Sequence, residues 1–287
     1  MEAKKQKKNS SRSNLLLILI FLVGLSLLLY PSVADWWNSF HSTRAISAYD
    51  ESVAQITAAE FDAYRREAQE WNAYLAEHYG TVCDLQPEDV PRYESTLAVS
   101  GTGVMGYVEI PTAGIKLPMY HSVDEPVLQI AAGHIPSSSL PVGGETTHCL
   151  LSGHRGLPSA RLFTDLDRVV EGDLIRLHVL DQTLTYEVYQ ILTVLPQELE
   201  ALQIRPGEDL LTLVTCTPYG VNSHRLLVQA RRVEVDDTDA RLVTEARQID
   251  PVTVMPFVAA PLLIALLLWL LLGSGKKKKP KPRGESK

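Results

Sequence analysis

Three side chains at the ends of apolar runs have the chemistry needed for acyl transfer. Cys216 ends the apolar run 212–215 and is followed at once by the turn-forming sequence Thr-Pro-Tyr-Gly. Arg225 begins the next apolar run, so a two-stranded return would bring its guanidinium back beside the sulfur. His154 ends an earlier apolar run, 150–152. The spacing predicts a thiol, a guanidinium and an imidazole at strand ends.

A nucleophilic cysteine reacts as the thiolate and needs a neighbour that holds or moves a proton. In acyl transfer the thiolate of Cys216 would attack a carbonyl carbon, and the imidazolium of His154 would protonate the departing amine. The guanidinium of Arg225 would stabilise the oxyanion or align the peptide. Two glycines near the histidine, Gly153 and Gly156, predict backbone room for a substrate to approach.

The elements that must position these residues are mostly short strands. Runs rich in Val, Ile, Leu, Thr and Tyr predict strands at residues 105–110, 115–120, 148–152, 174–180, 183–194, 210–215 and 224–234. Strands of this length with little helical periodicity between them predict an all-β barrel or sandwich. Before them, residues 45–78 have helical spacing of apolar and aromatic residues and end near Gly80, whereas residues 81–100 predict a loop.

The charge distribution predicts a membrane protein with an acidic domain outside the cell. The two tails hold 12 of the 27 Lys and Arg; without them and without Glu2 and Glu285, 15 basic residues face 32 acidic ones. That balance argues against nucleic-acid binding. Uncharged runs at 15–34 and 252–272 adjoin the basic tails, which predicts two transmembrane segments with both termini in the cytoplasm. A cleaved signal peptide ending at 32–34 is the alternative for the first run.

The chain therefore divides into seven predicted segments. These are a basic tail (1–14), an N-terminal anchor or signal (15–34), a helical collar with a lid-like loop (35–100), a catalytic barrel (101–235), a connector (236–251), a C-terminal transmembrane helix (252–272) and a second basic tail (273–287).

The sequence Thr-Leu-Val-Thr-Cys at 212–216 resembles the TLxTC signature of sortases, with Arg225 and His154 at the positions of their catalytic arginine and histidine. The strings 133–167 and 216–227 are similar in particular to the class C, pilus-building sortases of Gram-positive bacteria. The resemblance covers about 103–234, and the helix around 71–75 and the C-terminal span extend it. It implies a sortase-type β-barrel and no cofactor, with Thr215 supporting the substrate or the oxyanion.

The resemblance also implies a reaction and its partners. The substrates would be pilins or surface proteins with an LPxTG-like sorting signal, cleaved between Thr and Gly, and Cys216 would carry a thioacyl intermediate. The acceptor in class C enzymes is a lysine amine of another pilin. Two alternatives stay open: a housekeeping sortase that joins proteins to cell-wall peptide, and a non-catalytic sortase-like assembly scaffold.

One departure from class C concerns the lid that covers the cysteine. The stretch 81–100 contains no Asp-Pro-Phe or Asp-Pro-Trp. Asp84, Asp89 and Tyr93 are the residues that could form a similar plug, with an acid reaching Arg225 and an aromatic ring covering Cys216. A plain connecting loop is the favoured interpretation.

Several other residues receive ordinary structural interpretations. Arg155 is predicted as surface charge or loop support, and Asp165 and Asp167 as turn residues, with an acid that orients His154 as the alternative. Metal binding is not predicted, because no CxxC or HxxxH spacing occurs; a calcium dependence of so acidic a domain stays open. The odd cysteine count leaves at least one thiol unpaired and makes a Cys83–Cys149 disulfide an alternative rather than an expectation.

Overall fold

The structure is a computed structural model that describes residues 3–79, 82–99, 101, 103–234 and 251–273. The predicted helix stop at Gly80, the connector as far as residue 250 and the basic tail from residue 274 lie outside the described residues. Chain contacts divide the protein into a unit that begins at Ala34 and holds the barrel, and a unit that holds the two apolar helical segments.

Eight strands form one closed barrel. Named β1 to β8 in chain order, they cover Val104–Ile110, Ile115–Tyr120, Ala132–His134, Thr147–Ser152, Leu174–Val179, Gln182–Val194, Asp209–Thr217 and His224–Arg232. Around the barrel the order is β1-β2-β3-β4-β7-β8-β6-β5. The pairs β2–β3 and β4–β7 are parallel, and the other pairs are antiparallel.

The all-β prediction is confirmed, and all seven predicted strands are present with ends shifted by no more than two residues. The sequence prediction missed β3, which has only three residues, Ala-Gly-His. So short a strand has no alternating pattern to detect. Its neighbour β4 lies between it and β7, so β3 helps to close the barrel on the side that carries the site.

Alternation along β4, β7 and β8 divides their side chains between two apolar clusters. Residues such as Leu211 and Leu213 belong to the main cluster, which is the core of the domain. Val214 belongs to a second cluster on the opposite face of these strands, because successive side chains of a strand point to opposite faces. The second cluster consists of Leu150, Leu202, Val214 and Leu227.

The described residues form five α-helices: α1 (Ala3–Val53), α2 (Ala58–His78), α3 (Val90–Ser95), α4 (Glu125–Leu128) and α5 (Pro251–Gly273). The predicted single helix 45–78 is wrong at its middle. Thr57 starts a new helix there, because its side chain and that of Glu60 form a reciprocal capping box. The predicted loop 81–100 contains the short helix α3.

Helix α2 packs on the barrel through one buried stripe. Trp71 and Leu75 are buried in the main cluster. Between them, the Asn72 side chain donates to the Leu140 carbonyl at 3.1 Å and accepts from the Leu140 N–H at 2.7 Å. This two-way bond satisfies a buried amide and fixes the helix on the loop before β4.

One helix of the described chain is long and apolar enough to cross a membrane, the segment Leu15–Val53 of α1. A shorter apolar helical segment, Val258–Trp269, lies within α5. The first segment agrees with the predicted N-terminal anchor.

Candidate active site

The β7–β8 pair aligns Cys216 with Arg225. The two residues lie directly opposite each other in the antiparallel register, so their side chains share one face of the sheet. Both are half-buried. The guanidinium is oriented through Nη1, which donates to the carbonyls of Asn222 at 3.3 Å and His224 at 3.2 Å. A thiol and a guanidinium therefore lie side by side at the turn end of this hairpin.

The parallel β4–β7 pair delivers His154 to the same end of the barrel. Its last register pair joins Ser152 to Val214, and the Gly153 N–H continues the pattern by donating to the Val214 carbonyl at 3.1 Å. His154 thus follows Gly153 just as Cys216 follows Thr215. The imidazole side chain is 27% exposed, which leaves it accessible to a substrate.

Thr215 ties these two strand ends together. Its buried hydroxyl donates to the Gly153 carbonyl at 2.7 Å, and it fixes the main chain immediately before His154. Substrate or oxyanion support by Thr215 stays a prediction. The contact in the structure is one that holds the histidine strand against the cysteine strand.

The acidic partner of His154 is Glu125 at the start of α4. The His154 Nε2 atom lies 3.2 Å from Glu125 Oε2. The pKa of Glu125 is lowered, first by the hydrogen bond from Gln129 and then by that from His154. The sequence analysis missed Glu125, since nothing in its local pattern links it to a residue in another loop. It considered Asp165 and Asp167 instead, and these pair with arginines.

The Arg155 side chain is largely buried and links two loops. The prediction of a surface charge is therefore wrong, and the prediction of loop support is confirmed. Its side chain is only 9% exposed. Nη1 donates to the hydroxyl of Thr217 at 3.3 Å, and Nη2 pairs with Asp167 at 2.5 Å. Arg155 follows His154 and Thr217 follows Cys216, so this contact joins the two loops that carry the predicted catalytic groups.

The glycines beside His154 serve packing, which corrects the prediction of open room for a substrate. A Cβ atom on Gly153 would lie 2.6 Å from Cδ2 of Phe163, and one on Gly156 would lie 3.1 Å from the ring of Tyr219. Gly156 also has a φ of +81°, a conformation that favours glycine. Two aromatic rings therefore occupy the space that the missing side chains leave.

The connection between β6 and β7 is fastened to the sheet face that carries Cys216. The Nδ1 atom of His148 donates to the Gln203 carbonyl at 2.9 Å, and its Nε2 atom accepts from the Thr212 hydroxyl at 2.7 Å. The Gln229 side chain donates to the Ala201 carbonyl at 2.6 Å. Burial lowers the pKa of His148 to about 4, so the ring is neutral at physiological pH.

The buried second cluster extends from this connection towards the cysteine. The second cluster lies on the same face as Cys216, because Val214 and Cys216 are two residues apart on β7. Val194, which is partly buried against that cluster, lies opposite Arg225 in the β6–β8 register. The thiol and guanidinium therefore lie beside an apolar cluster to which the partly buried Val194 belongs.

The structure places the three possible lid residues, Asp84, Asp89 and Tyr93, as follows. The ring of Tyr93 is 2% exposed and packs in the main cluster, where its hydroxyl donates to His134 Nδ1 at 2.9 Å. Cys216 lies on the other face of β7, so this ring does not cover it. Asp89 accepts hydrogen bonds from the hydroxyls of Tyr74 and Tyr79, and Asp84 is exposed. The segment anchors α2 and α3, as the plain-loop interpretation has it.

The three cysteines are unpaired and differ in setting: Cys83 is exposed, Cys149 is buried and Cys216 is intermediate. Burial raises the pKa of the Cys149 thiol, which makes that thiol inert. Within the described ranges, no group of three or more His, Cys, Asp or Glu residues is arranged to hold a metal ion.

A family model described as the sortase domain matches residues 108–233. The crystal structure of sortase C1 from Streptococcus agalactiae is 48% identical and superposes with a TM-score of 0.65, covering 67% of this chain and 100% of that chain. This chain belongs to the sortase family. As a sortase it is a cysteine transpeptidase, and its structural neighbours include the class C members.

Two further relatives, a sortase C and a sortase A, represent two subgroups of the family. Sortase C of Streptococcus pneumoniae is 42% identical with a TM-score of 0.57, covering 67% of this chain and 97% of that chain. Sortase A of Streptococcus agalactiae serotype III (strain NEM316) is 25% identical over 219 residues, which are 75% of this chain and 82% of the relative. The class C structures thus share markedly more sequence with it than that sortase A does.

Proposed function

We propose that this sortase is a membrane-anchored pilin polymerase that uses Cys216, His154 and Arg225 as its catalytic residues. The observation that carries the proposal is the register at one end of the barrel. Cys216 and Arg225 are direct partners across β7 and β8. His154 continues the parallel β4 strand beside them, held by the bond from Thr215 to Gly153.

In the first step the Cys216 thiolate attacks the carbonyl carbon of the threonine in an LPxTG-like sorting signal. A carbon–sulfur bond forms, and the threonine–glycine amide bond breaks. The imidazolium of His154 gives its proton to the departing glycine amine, so that the amine leaves neutral. The guanidinium of Arg225, on the same sheet face as the sulfur, stabilises the negative charge that develops on the carbonyl oxygen.

In the second step a lysine amine of another pilin attacks the thioacyl carbon. A new amide bond forms, the carbon–sulfur bond breaks and the thiolate returns. Neutral His154 accepts the proton that the attacking amine loses, which restores the imidazolium. Each cycle consumes one amide bond and makes another, so no cofactor is needed.

Partly buried apolar side chains beside the site support recognition of the leucine and proline of such a signal. Leu192 and Val194 pack against the buried second cluster, and Val194 lies opposite Arg225. The connection between β6 and β7 packs on the same cluster, and buried contacts from His148 and Gln229 hold that connection in place. Apolar groups beside a few directed polar groups are typical of ligand sites.

Assignment to pilins and to a membrane anchor rests on the relatives and on the apolar helix. The crystal structure of Streptococcus pneumoniae sortase C gives insights into the pilin substrate specificity of that relative. The N-terminal helix is long and apolar enough to hold the enzyme in a bilayer. We infer that the barrel lies outside the cell and that both termini are cytoplasmic, as the basic tails predict.

The test is an immunoblot for SDS-resistant pilin ladders in cells that carry the wild-type protein, Cys216→Ala or Cys83→Ala. Ladders should vanish with Cys216→Ala and persist with Cys83→Ala, a control that alters the exposed cysteine. Ladders that persist with Cys216→Ala would assign polymerisation to another enzyme. Release of anchored wall proteins in that variant, with ladders intact, would support the housekeeping alternative.

A further inference from the structure

The part of α1 that belongs to the barrel unit uses one face to hold the loops around His154. The Asp35 carboxylate accepts from the Arg161 N–H at 2.8 Å, and the Asn38 side chain donates to the Ser159 carbonyl at 2.7 Å. Both partners lie in the loop that begins at His154, which is closed where the Phe163 N–H donates to the His154 carbonyl at 3.1 Å.

The same face makes two further contacts. The Ser42 hydroxyl donates to the Ile130 carbonyl at 3.3 Å, two residues beyond the end of α4, the helix that begins with Glu125. About two turns further along α1, the buried hydroxyl of Tyr49 donates to the Met105 carbonyl and accepts from the Leu180 N–H. Helix α1 is thus fixed to both loops that surround the imidazole.

The opposite face of this segment is aromatic and exposed. Trp36, Trp37 and Phe40 are 65%, 57% and 54% exposed. With 3.6 residues per turn they project from the side of the helix opposite Asp35, Asn38 and Ser42. The Trp36 and Phe40 rings stack with centroids 6.4 Å apart. Three adjacent aromatic rings in water are unusual on a soluble surface and indicate a partner.

The chain before this patch identifies the partner as a lipid bilayer. The uncharged run 15–34 would span about 30 Å as a helix, the thickness of the hydrocarbon core. Trp36, Trp37 and Phe40 follow within six residues, where tryptophan is enriched at the membrane–water interface. Arg44 is exposed on the same side of α1, one turn beyond Phe40, at the position of the lipid phosphates.

We propose that Trp36, Trp37 and Phe40 insert into the headgroup layer on the outer face of the membrane and so hold the His154 loop at that surface. The bilayer contact rests on the membrane anchor of the proposed function but not on its chemistry. Its catalytic consequence rests on both. Donors and acceptors anchored in the same bilayer would meet the site at a high effective concentration, whereas soluble peptides would not.

The contact is tested by fluorescence quenching of the full chain in nanodiscs of phosphatidylcholine brominated at different depths. Of the four tryptophans, Trp71 is fully buried and serves as an internal reference, and Trp269→Phe removes the one in α5. In that background, bromines nearest the headgroups should quench at least about twice as strongly as the deepest ones. Adding Trp36→Phe and Trp37→Phe should abolish the difference.

Two results would overturn the bilayer contact. Quenching by none of the lipids would place the aromatic face in water or against a protein, and strongest quenching by the deepest bromines would place it inside the span. Because the measurement needs no turnover, it gives the same reading with Cys216→Ala. A failure of the proposed chemistry would therefore leave it unchanged.

The catalytic consequence has its own test with Trp36→Ser, Trp37→Ser and Phe40→Ser combined. Cleavage of a soluble sorting-signal peptide should stay within about twofold of wild type, while transfer between two nanodisc-anchored substrates should fall about tenfold. Equal losses in both assays would contradict the proposal that the three aromatic residues hold the site at the membrane surface. No loss in either assay would contradict it as well.

Discussion

The two ends of the β4–β7 pair have opposite characters. At the end where both strands begin, the half-buried carboxylate of Asp209 accepts from the Gly144 N–H at 3.0 Å and from the Tyr186 hydroxyl at 2.9 Å, and Thr147 lies beside it in the register. At the end where both strands stop, Cys216 and His154 are half-buried.

The difference shows how one strand pair separates stability from chemistry. Polar groups at the first end are satisfied by the protein itself, which makes the end rigid and leaves nothing for a ligand. At the second end the thiol and imidazole keep part of their surface in solvent, and their loops are held from behind by Arg155 and Thr215. Residues that hold a reactive group and residues that react are distinct here.

The largest difference between structural and reactive positions of the β4–β7 pair is expected for its two cysteines, Cys149 and Cys216. Cys216→Ala should abolish transpeptidation, because the nucleophile is lost. Cys149→Ala should retain near-normal turnover and lower the free energy of unfolding by about 1 kcal/mol through a small cavity. Peptide-cleavage assays and denaturant unfolding of the detergent-solubilised full chain measure the two effects. Lost turnover in a folded Cys149→Ala protein would contradict the division.

Arg155 provides the next largest test, since it holds the catalytic end without touching substrate. Arg155→Ala should lower kcat by about 10- to 100-fold with little change in KM, because a small misplacement of a catalytic group is costly. Arg155→Lys should restore part of it. The matched control is Arg231→Ala, an exposed arginine over the ring of Tyr189. Equal losses in Arg155→Ala and Arg155→Lys, matched by equal loss of folded protein, would reduce its role to stability.

Acid should lower the free energy of unfolding through His148, which lies near the beginning of the β4–β7 pair. Its folded-state pKa of about 4 lies below the unfolded value near 6.5, so the fold favours the neutral ring. The stability that comes from keeping this ring neutral is fully present above pH 6.5. As the pH falls towards 4, the free energy of unfolding drops by roughly 3 kcal/mol. In His148→Gln that share of the acid destabilisation should disappear, as urea unfolding at pH 7 and pH 4 would show. His224→Gln, at a rim position, should keep the wild-type pH dependence.

The smallest effect is expected from Glu125 at the catalytic end. Its carboxylate is exposed, and exposed ion pairs are weak in water. Glu125→Gln should lower kcat about twofold, and 0.5 M salt should produce a similar fall in the wild type and none in the variant. A hundredfold loss of kcat in Glu125→Gln would instead make Glu125 as important as Arg155.

The strands and the Cys216–Arg225 pair were predictable because their signals are local. Alternating residues mark each strand, and a short hairpin fixes the partner across it. The parallel pairing of β4 with β7 was not predictable from the residues alone, since it joins segments about sixty residues apart. The approach of Glu125 to His154 was hidden for the same reason.

The burial of Tyr93, one of the possible lid residues, was not predictable for a different reason. Tyr93 lies in a polar stretch with two prolines, a composition typical of an exposed loop, and only the tertiary fold buries its ring beside Trp71 and His134. Arg155 is the converse case. A charged residue next to the predicted catalytic histidine is expected at the surface, yet the Arg155 guanidinium is largely buried and binds Asp167 and Thr217.

The position of β8 in the barrel has a consequence for biogenesis. This strand is the last one in the described part of the chain, and it fills the gap between β7 and β6. Until it emerges, both neighbours present unpaired edges, and Cys216 has no arginine opposite it. Only 18 residues separate β8 from the start of α5. A growing chain therefore closes its barrel and completes the Cys216–Arg225 pair in one late event, so we expect chains that lack β8 to be inactive and prone to aggregate.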